Sequence, residues 1–360
     1  MKKNGKLEFY RFYFCLAIML FHFEKYIMGE PALNGFRIML FPHGSMGVEF
    51  FFLLSGFFMG HSAFRDHQHM SAEDSLFSDS SSRSALRFLW NKYRRILPEH
   101  TVAFIITFII YCICKHLSIV GTVFAAIESV PAFFLVQMTG LGLLTVNHIE
   151  WYLSAMLIGM AVLYPICRRY YYGFTRYVSP LLSLFIIGFF FHDSKALTGV
   201  MTWMGFSYKG TIRAIAELAL GATIYEITRY FADGHPLSAG TLRFTLAAEI
   251  VSFCGVTLFM LLTLQKKYEV YALACMMVLL FSAVVRQPAS GRFFDRPLFY
   301  FLGEFSFPLY LSQLSAVYIA NAFLSQRSYT FQVSMCVIIT FSMALVVRFA
   351  AAPLRKMLSK

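Results

Sequence analysis

The stretch Leu7-Glu-Phe-Tyr-Arg-Phe-Tyr-Phe-Cys-Leu-Ala-Ile-Met-Leu-Phe-His-Phe23 is an apolar run broken by two ionisable side chains, Arg11 and His22. The run continues to about residue 28, near the roughly 20 residues a helix needs to cross a bilayer. Ionisable groups inside such a span are costly and tend to mark function. Eleven residues at about 100° each come to roughly three turns, so Arg11 and His22 share one face, roughly 16 Å apart along the axis. A cation near one end and an imidazole deeper in, on one stripe, resemble the wall of a site.

Working outward, the whole chain is of this kind. Its 360 residues are 58% hydrophobic and 14% charged, with 41 Phe and 20 Tyr, far too apolar for a soluble domain of that length. The apolar runs are continuous rather than alternating, which excludes a transmembrane β-barrel. A net charge of +12 would point to nucleic acid in a soluble protein. Here the basic residues sit between apolar runs, as the positive-inside rule requires, and no nucleic-acid partner is expected. The seven cysteines lie in or at the ends of apolar segments without histidines at zinc spacing, so no metal is expected. The lysines at 2, 3 and 6 followed by an apolar run imitate a signal peptide, but no small-residue cleavage site follows, so this segment is expected to be a retained span.

Ten spans are expected, at about 7–28, 45–63, 97–115, 150–168, 177–192, 210–231, 243–264, 268–286, 299–323 and 330–350. The expected fold is all-α, a polytopic transmembrane helical bundle forming one domain over 1–360. A further apolar stretch at 118–138, with Gly121, Glu128, Pro131 and Gln137, is read as a helix in or beside the interface, within an outer-side loop over 117–149. Basic residues concentrate at the amino terminus, in the loop with Arg65, Arg83, Arg87, Lys92, Arg94 and Arg95, and at the carboxyl terminus with Arg355 and Lys356. Alternate loops carry few. This asymmetry places both termini in the cytosol. The serine-rich stretch 64–86 is expected to be a mobile linker within a cytosolic polar loop over 64–96.

Several short strings carry candidate chemistry. His22 has either of two readings, a general base exchanging a proton with a hydroxyl or a histidine hydrogen-bonded between helices. Arg11 either snorkels beside Glu8 or faces the site with His22. In Gly44-Ser-Met-Gly-Val-Glu-Phe-Phe-Phe-Leu-Leu-Ser-Gly-Phe-Phe58, Glu49 is placed to orient an imidazole or to sit at the headgroup boundary, and Ser55 and Gly56 are small enough for close helix packing. Lys92-Tyr-Arg-Arg-Ile-Leu-Pro98 presents Lys92, Arg94 and Arg95, a cluster suited to a ligand with several phosphates or to anchoring on the basic side. Trp151 and Tyr152 fit an interfacial aromatic belt. Arg213 and Glu217, four apart, are expected to neutralise one another.

Together these residues resemble the acyltransferase-3 family of bacterial integral-membrane acyltransferases, over nearly the whole chain. The family's Arg-x10-His pattern falls on Arg11 and His22, and its Gly-Val-Asp/Glu-Phe-Phe-Phe-x-x-Ser-Gly-Phe pattern on Gly47 to Phe57. Its Arg-Ile-x-Pro falls on Arg95 to Pro98, its Trp-Tyr/Phe-Leu on Trp151 to Leu153, and its Gly-x-x-Ser-Tyr-x-x-Tyr-Leu on Gly303 to Leu311 with Phe307 at the Tyr position. Each string is weak alone; five in order are specific.

The resemblance implies O-acyl transfer, commonly acetyl from cytosolic acetyl-coenzyme A, to a hydroxyl of a carbohydrate or glycolipid of the cell envelope. It places the protein in the bacterial inner membrane. By that likeness His22 is catalytic with Glu49 beside it, Arg11, Lys92, Arg94 and Arg95 bind the acyl-coenzyme A donor, and Ser55, Trp151 and Tyr152 contact substrate. Two positions depart from the family pattern. Lys92 stands where the family often has arginine, which keeps the charge but loses the bidentate fork. Gln313 stands where it often has histidine and is not counted as catalytic. One rival function is a transporter or flippase of a lipid-linked saccharide, which broken helices in matching halves would favour, though Pro308 has no clear mate in the first half; the other is a structural or assembly subunit whose buried charges only tie helices together.

Overall fold

Each of the ten apolar segments is built as a helix in the structure, a computed structural model that describes residues 3–27, 41–70, 76, 79–142, 146–233, 235, 237–262, 264–285 and 293–358. In chain order they are α1 (Gly5–Tyr26), α2 (Gly47–Gln68), α3 (Asp79–Cys114), the short α4 (Ile119–Glu128), α5 (Trp151–Arg169), α6 (Ser179–Ser194), α7 (Lys209–Ala232), α8 (Ala239–Leu261), α9 (Glu269–Val285), α10 (Pro297–Phe323) and α11 (Tyr329–Ala350), followed by α12 (Ala352–Leu358). Asn4 starts α1 by accepting from the backbone N–H groups of Lys6 and Leu7, two of the donors a helix leaves orphaned at its first turn. The same side chain donates to the carbonyl of Ala283 at 2.9 Å and so fixes the start of α1 against α9.

Among the described residues, seven helical stretches are long and apolar enough to cross a membrane: Gly44–Gln68, Ser81–Cys114, His148–Arg169, Tyr171–Ser194, Ala239–Leu261, Lys266–Val285 and Tyr329–Leu358. The other three expected spans, α1, α7 and α10, are as long but more polar. Their polar groups are held within the bundle: Lys6 on Glu249, Arg213 on Glu49, Gln313 on His22. The chain is a polytopic helical membrane protein. The shortest expected span, 177–192, is lengthened by a turn at Tyr171–Gly173 and a π-turn at Phe174–Val178. The stretch at 118–138 forms the ten-residue α4 and a single turn at Val130–Phe133. Ten residues rise roughly 15 Å, about half the hydrocarbon thickness.

Within the stretch 64–96, expected to be a polar loop, most described residues are helical. α2 runs on to Gln68 and α3 begins at Asp79. At 36 residues α3 is roughly 54 Å long, well beyond the hydrocarbon core, so Lys92, Arg94 and Arg95 ride on a rigid helix instead of a loop. Ser71, Ser75 and Ser78, part of the expected linker, lie outside the described residues, as do Lys2, Arg37, Arg286 and Arg292.

Two parallel helix pairs set the geometry of the interior. α2 crosses α7 with almost no space between backbones. A Cβ at Gly56 would lie 2.0 Å from the Leu218 carbonyl oxygen, and one at Gly221 would lie 2.1 Å from that of Leu53. Only glycine admits such an approach. α1 runs beside α10, with Glu8 against Gly303 near one end and Tyr26 against Asn321 at the other. The end of the bundle that holds Lys3 and Arg355 is the basic end.

Candidate active site

Helical spacing puts Glu8, Arg11, Cys15, His22 and Tyr26 on one stripe of α1, and that stripe is read off along α10. Glu8 holds Arg11 in an ion pair at 2.7 Å and fills the space above Gly303, where a Cβ would lie 1.9 Å from its Oε2. Cys15 donates its S–H to the Ser306 carbonyl at 3.1 Å. His22 Nδ1 lies 2.8 Å from Gln313 Oε1, and the Asn321 amide donates to the Tyr26 carbonyl at 2.8 Å. The Arg11–His22 stripe anticipated from spacing therefore exists, and α10 is its partner.

Arg11 opens onto a cavity of about 530 Å³ between α1, α2, α3, α5, α10 and the chain's C-terminal helices. Its outer part carries the cations Arg11, Lys92, Arg95, Arg348 and Arg355 with the carboxylates Glu99 and Glu304. Its buried part is lined by Ser55, Tyr152, Ser306 and Tyr310, together with apolar side chains including Phe51 and Met156. Ser55 Oγ and Tyr152 OH are 3.1 Å apart, and Tyr310 donates to the Ile149 carbonyl. Gln313 follows Tyr310 by three residues, a rise of roughly 4.5 Å. The His22–Gln313 pair thus lies one turn of α10 beyond the buried end. His22 itself does not line the cavity. It is half-buried, and its Nε2 makes no hydrogen bond among the described residues.

Of the residues singled out in the sequence, Arg11, Lys92, Arg95, Ser55 and Tyr152 converge on this cavity. Arg94 does not line it. Glu49 and Trp151 belong to a different cluster. Glu49, fully buried, takes Arg213 at 2.9 Å, and the guanidinium also lies 3.6 Å from Glu217 and 5.2 Å from the Trp151 ring centroid. The expected Glu49–His22 contact is absent, and the reason is visible in α2. Its residues 48, 51, 55 and 58 face the cavity, whereas 49, 53, 56 and 60 face α7. Arg213 serves Glu49 as well as the expected Glu217.

Three features escaped the sequence reading. Gln313 was set aside for not being histidine, yet it holds the imidazole. Arg348 and Arg355 looked like terminal basic residues and line the cavity instead. His100, fully buried, lies 3.2 Å from Glu150 and 2.8 Å from the Phe133 carbonyl. Asn147 bonds the same Glu150 oxygen at 2.8 Å and the Leu311 carbonyl at 3.0 Å. This knot pins residues 147–150 to α10 beside Tyr310. The charged pair inside an apolar chain was the available signal.

A basic-mouthed cavity running toward a histidine of the first span agrees with one comparison. The profile of an acyltransferase domain, acyltransferase 3, matches residues 4–351. The chain belongs to the acyltransferase-3 family. The match spans nearly the whole chain, from the cap of α1 to the end of α11. Neither a curated protein nor a solved structure matches it. As an acyltransferase-3 protein it is an enzyme of acyl transfer, working from within a multi-pass membrane domain, with an acyl donor and an acceptor.

Proposed function

We propose that this acyltransferase moves an acyl group, acetyl in the first instance, from cytosolic acyl-coenzyme A to a hydroxyl of a cell-surface polysaccharide or glycolipid in the bacterial inner membrane, with His22 as general base. The observation that carries the reading is the join between a basic cavity and the His22–Gln313 pair, one helical turn apart on α10. Lys92, Arg95 and Arg11 hold the donor phosphates at the basic end. The pantetheine arm lies along the roughly 16 Å between Arg11 and His22, a distance of its own order.

Gln313 orients the base. Its Oε1 accepts from Nδ1–H, so the proton sits on Nδ1 and Nε2 keeps its lone pair. The acceptor hydroxyl gives its proton to Nε2 as its oxygen attacks the thioester carbonyl. The C–S bond breaks, and the leaving thiolate takes the proton back from the imidazolium. Glu49 supports α2 against α7 through Arg213 and stands outside this step. Buried Ser55, Tyr152 and Tyr310 supply hydroxyls along the path.

The test is a reconstitution. Protein in liposomes, given acetyl-labelled acetyl-coenzyme A and an extract of lipid-linked glycans, is expected to release coenzyme A and label the glycan fraction. Movement of glycan across the bilayer with no coenzyme A release favours the flippase alternative and removes this reading.

A further inference from the structure

The cavity holds more positive charge than the motif cations alone supply. Two of its arginines come from the end of the chain, Arg348 in the last turn of α11 and Arg355 on α12. They are seven residues apart, and the backbone hydrogen bonds from Ala351 to Val347 and from Arg355 to Ala351 carry the helical path between them. Two turns bring both side chains to one face. Each meets a carboxylate of another helix: Arg348 lies 3.1 Å from Glu304 of α10, and Arg355 pairs with Glu99 of α3. Glu304 also takes Lys3 at 2.8 Å. Lys92 and Arg95, in contrast, have no acidic partner among the described residues. Among the described residues, five cations and two carboxylates line the cavity, an excess of three positive charges.

Such an excess in a recess with apolar walls favours an anion of several charges. The two pairs are also built to exchange. In each pair one partner is about half exposed, Arg355 at 48% and Glu304 at 47%, and the other more buried, Glu99 at 11% and Arg348 at 23%, and a pair open to water on one side is weaker than a fully enclosed one. A phosphate, with its higher charge and its match to the planar guanidinium, is the stronger partner for arginine. We infer that Arg348 and Arg355 are donor-binding residues whose guanidinium groups pass from Glu304 and Glu99 to the phosphates of the donor when it docks. This rests on the coenzyme A reading above. It extends the donor site from α3 to the C-terminal helices and makes Glu99 and Glu304 competitors of the donor.

The competition gives the test an unusual sign. In a structural ion pair, loss of either partner weakens the site. In an exchange site, loss of the arginine weakens donor binding and loss of the glutamate strengthens it. Coenzyme A is titrated against the purified full-length protein in phosphatidylcholine nanodiscs, with thermal stability as readout. The expected result is an apparent affinity at least tenfold weaker for Arg348→Gln combined with Arg355→Gln, only partly restored by the paired lysine substitutions, which keep the charge but lose the fork, and several-fold tighter for Glu99→Gln or Glu304→Gln. Melting of each variant without coenzyme A separates misfolding from lost binding. Arginine variants that bind coenzyme A normally, even if they lose a response to phosphatidylglycerol discs, overturn the inference alone. So do glutamate variants that bind as weakly as the arginine variants. Wild-type protein that ignores coenzyme A overturns the donor reading and this inference with it.

Discussion

His22 and Gln313, 291 residues apart in sequence, meet through Nδ1 and Oε1 at 2.8 Å, and this contact joins the first span to α10, the ninth, one turn beyond the cavity. In the proposed mechanism it fixes which nitrogen of His22 faces the reacting atoms. Replacing Gln313 with Ala removes the one hydrogen bond that His22's ring makes among the described residues. Loss of a buried partner is worth about 1–3 kcal/mol, so kcat is expected to fall about ten- to hundredfold while the KM for donor stays within about twofold. Steady-state kinetics on Q313A check this; unchanged kcat removes Gln313 from the mechanism.

Glu49 and Arg213 form a buried ion pair between α2 and α7, both essentially without solvent exposure. Breaking a buried pair from one side costs about 3–5 kcal/mol. Glu49→Gln is expected to lower the melting temperature and yield of the protein, and Arg213→Met in the same chain to restore part of both. A Glu49→Gln protein that melts normally yet is catalytically dead would place Glu49 back beside the chemistry.

Spacing along a helix names a face but not what the face meets, and this is where sequence reading stopped. The helical segments, seven of them long and apolar enough to cross a membrane, and the Arg11–His22 stripe were legible from hydropathy and period, whereas only the family resemblance grouped Lys92, Arg95, Ser55 and Tyr152. Glu49 was assigned to His22 because both were polar residues in apolar spans. The deciding fact, that residue 49 turns toward α7 while residue 48 turns toward the cavity, depends on how α2 is rotated in the bundle. In pairs such as His22–Gln313 and His100–Glu150 the sequence marks polar residues in apolar segments, but their pairing is fixed by tertiary packing.

Lys92, Arg94 and Arg95 sit together in sequence but not in space. Lys92 and Arg95, three apart, turn to the cavity, and Arg94 turns away. Lys92→Ala and Arg95→Ala are each expected to raise the donor KM about tenfold, with Arg94→Ala within about twofold of wild type, since loss of one charge-assisted bond is worth about 1.5–3 kcal/mol. Equal effects at all three positions would mean that a diffuse basic surface, not the cavity, attracts the donor.

Gly303 leaves room for Glu8, whose Oε2 would lie 1.9 Å from an added Cβ. An added Cβ at Gly303 also lies 2.5 Å from Glu8 Cβ, so Gly303→Ala is expected to push Glu8 off its place beside Arg11, to change the donor KM and to lower the melting temperature without abolishing folded protein. Gly56→Val meets the Leu218 backbone, which cannot move aside, and is expected to abolish folded protein. Size-exclusion profiles and donor kinetics on the two variants separate a site glycine from a packing glycine.

The central claim is that His22 removes the acceptor proton during acyl transfer. It is tested most directly by His22→Ala in the reconstituted system, with labelled glycan and bound coenzyme A measured on the same preparation. Coenzyme A binding is expected within about twofold of wild type, with transfer reduced by about two to four orders of magnitude, the usual weight of a general base. Transfer at the wild-type rate by a folded, donor-binding His22→Ala protein would contradict it.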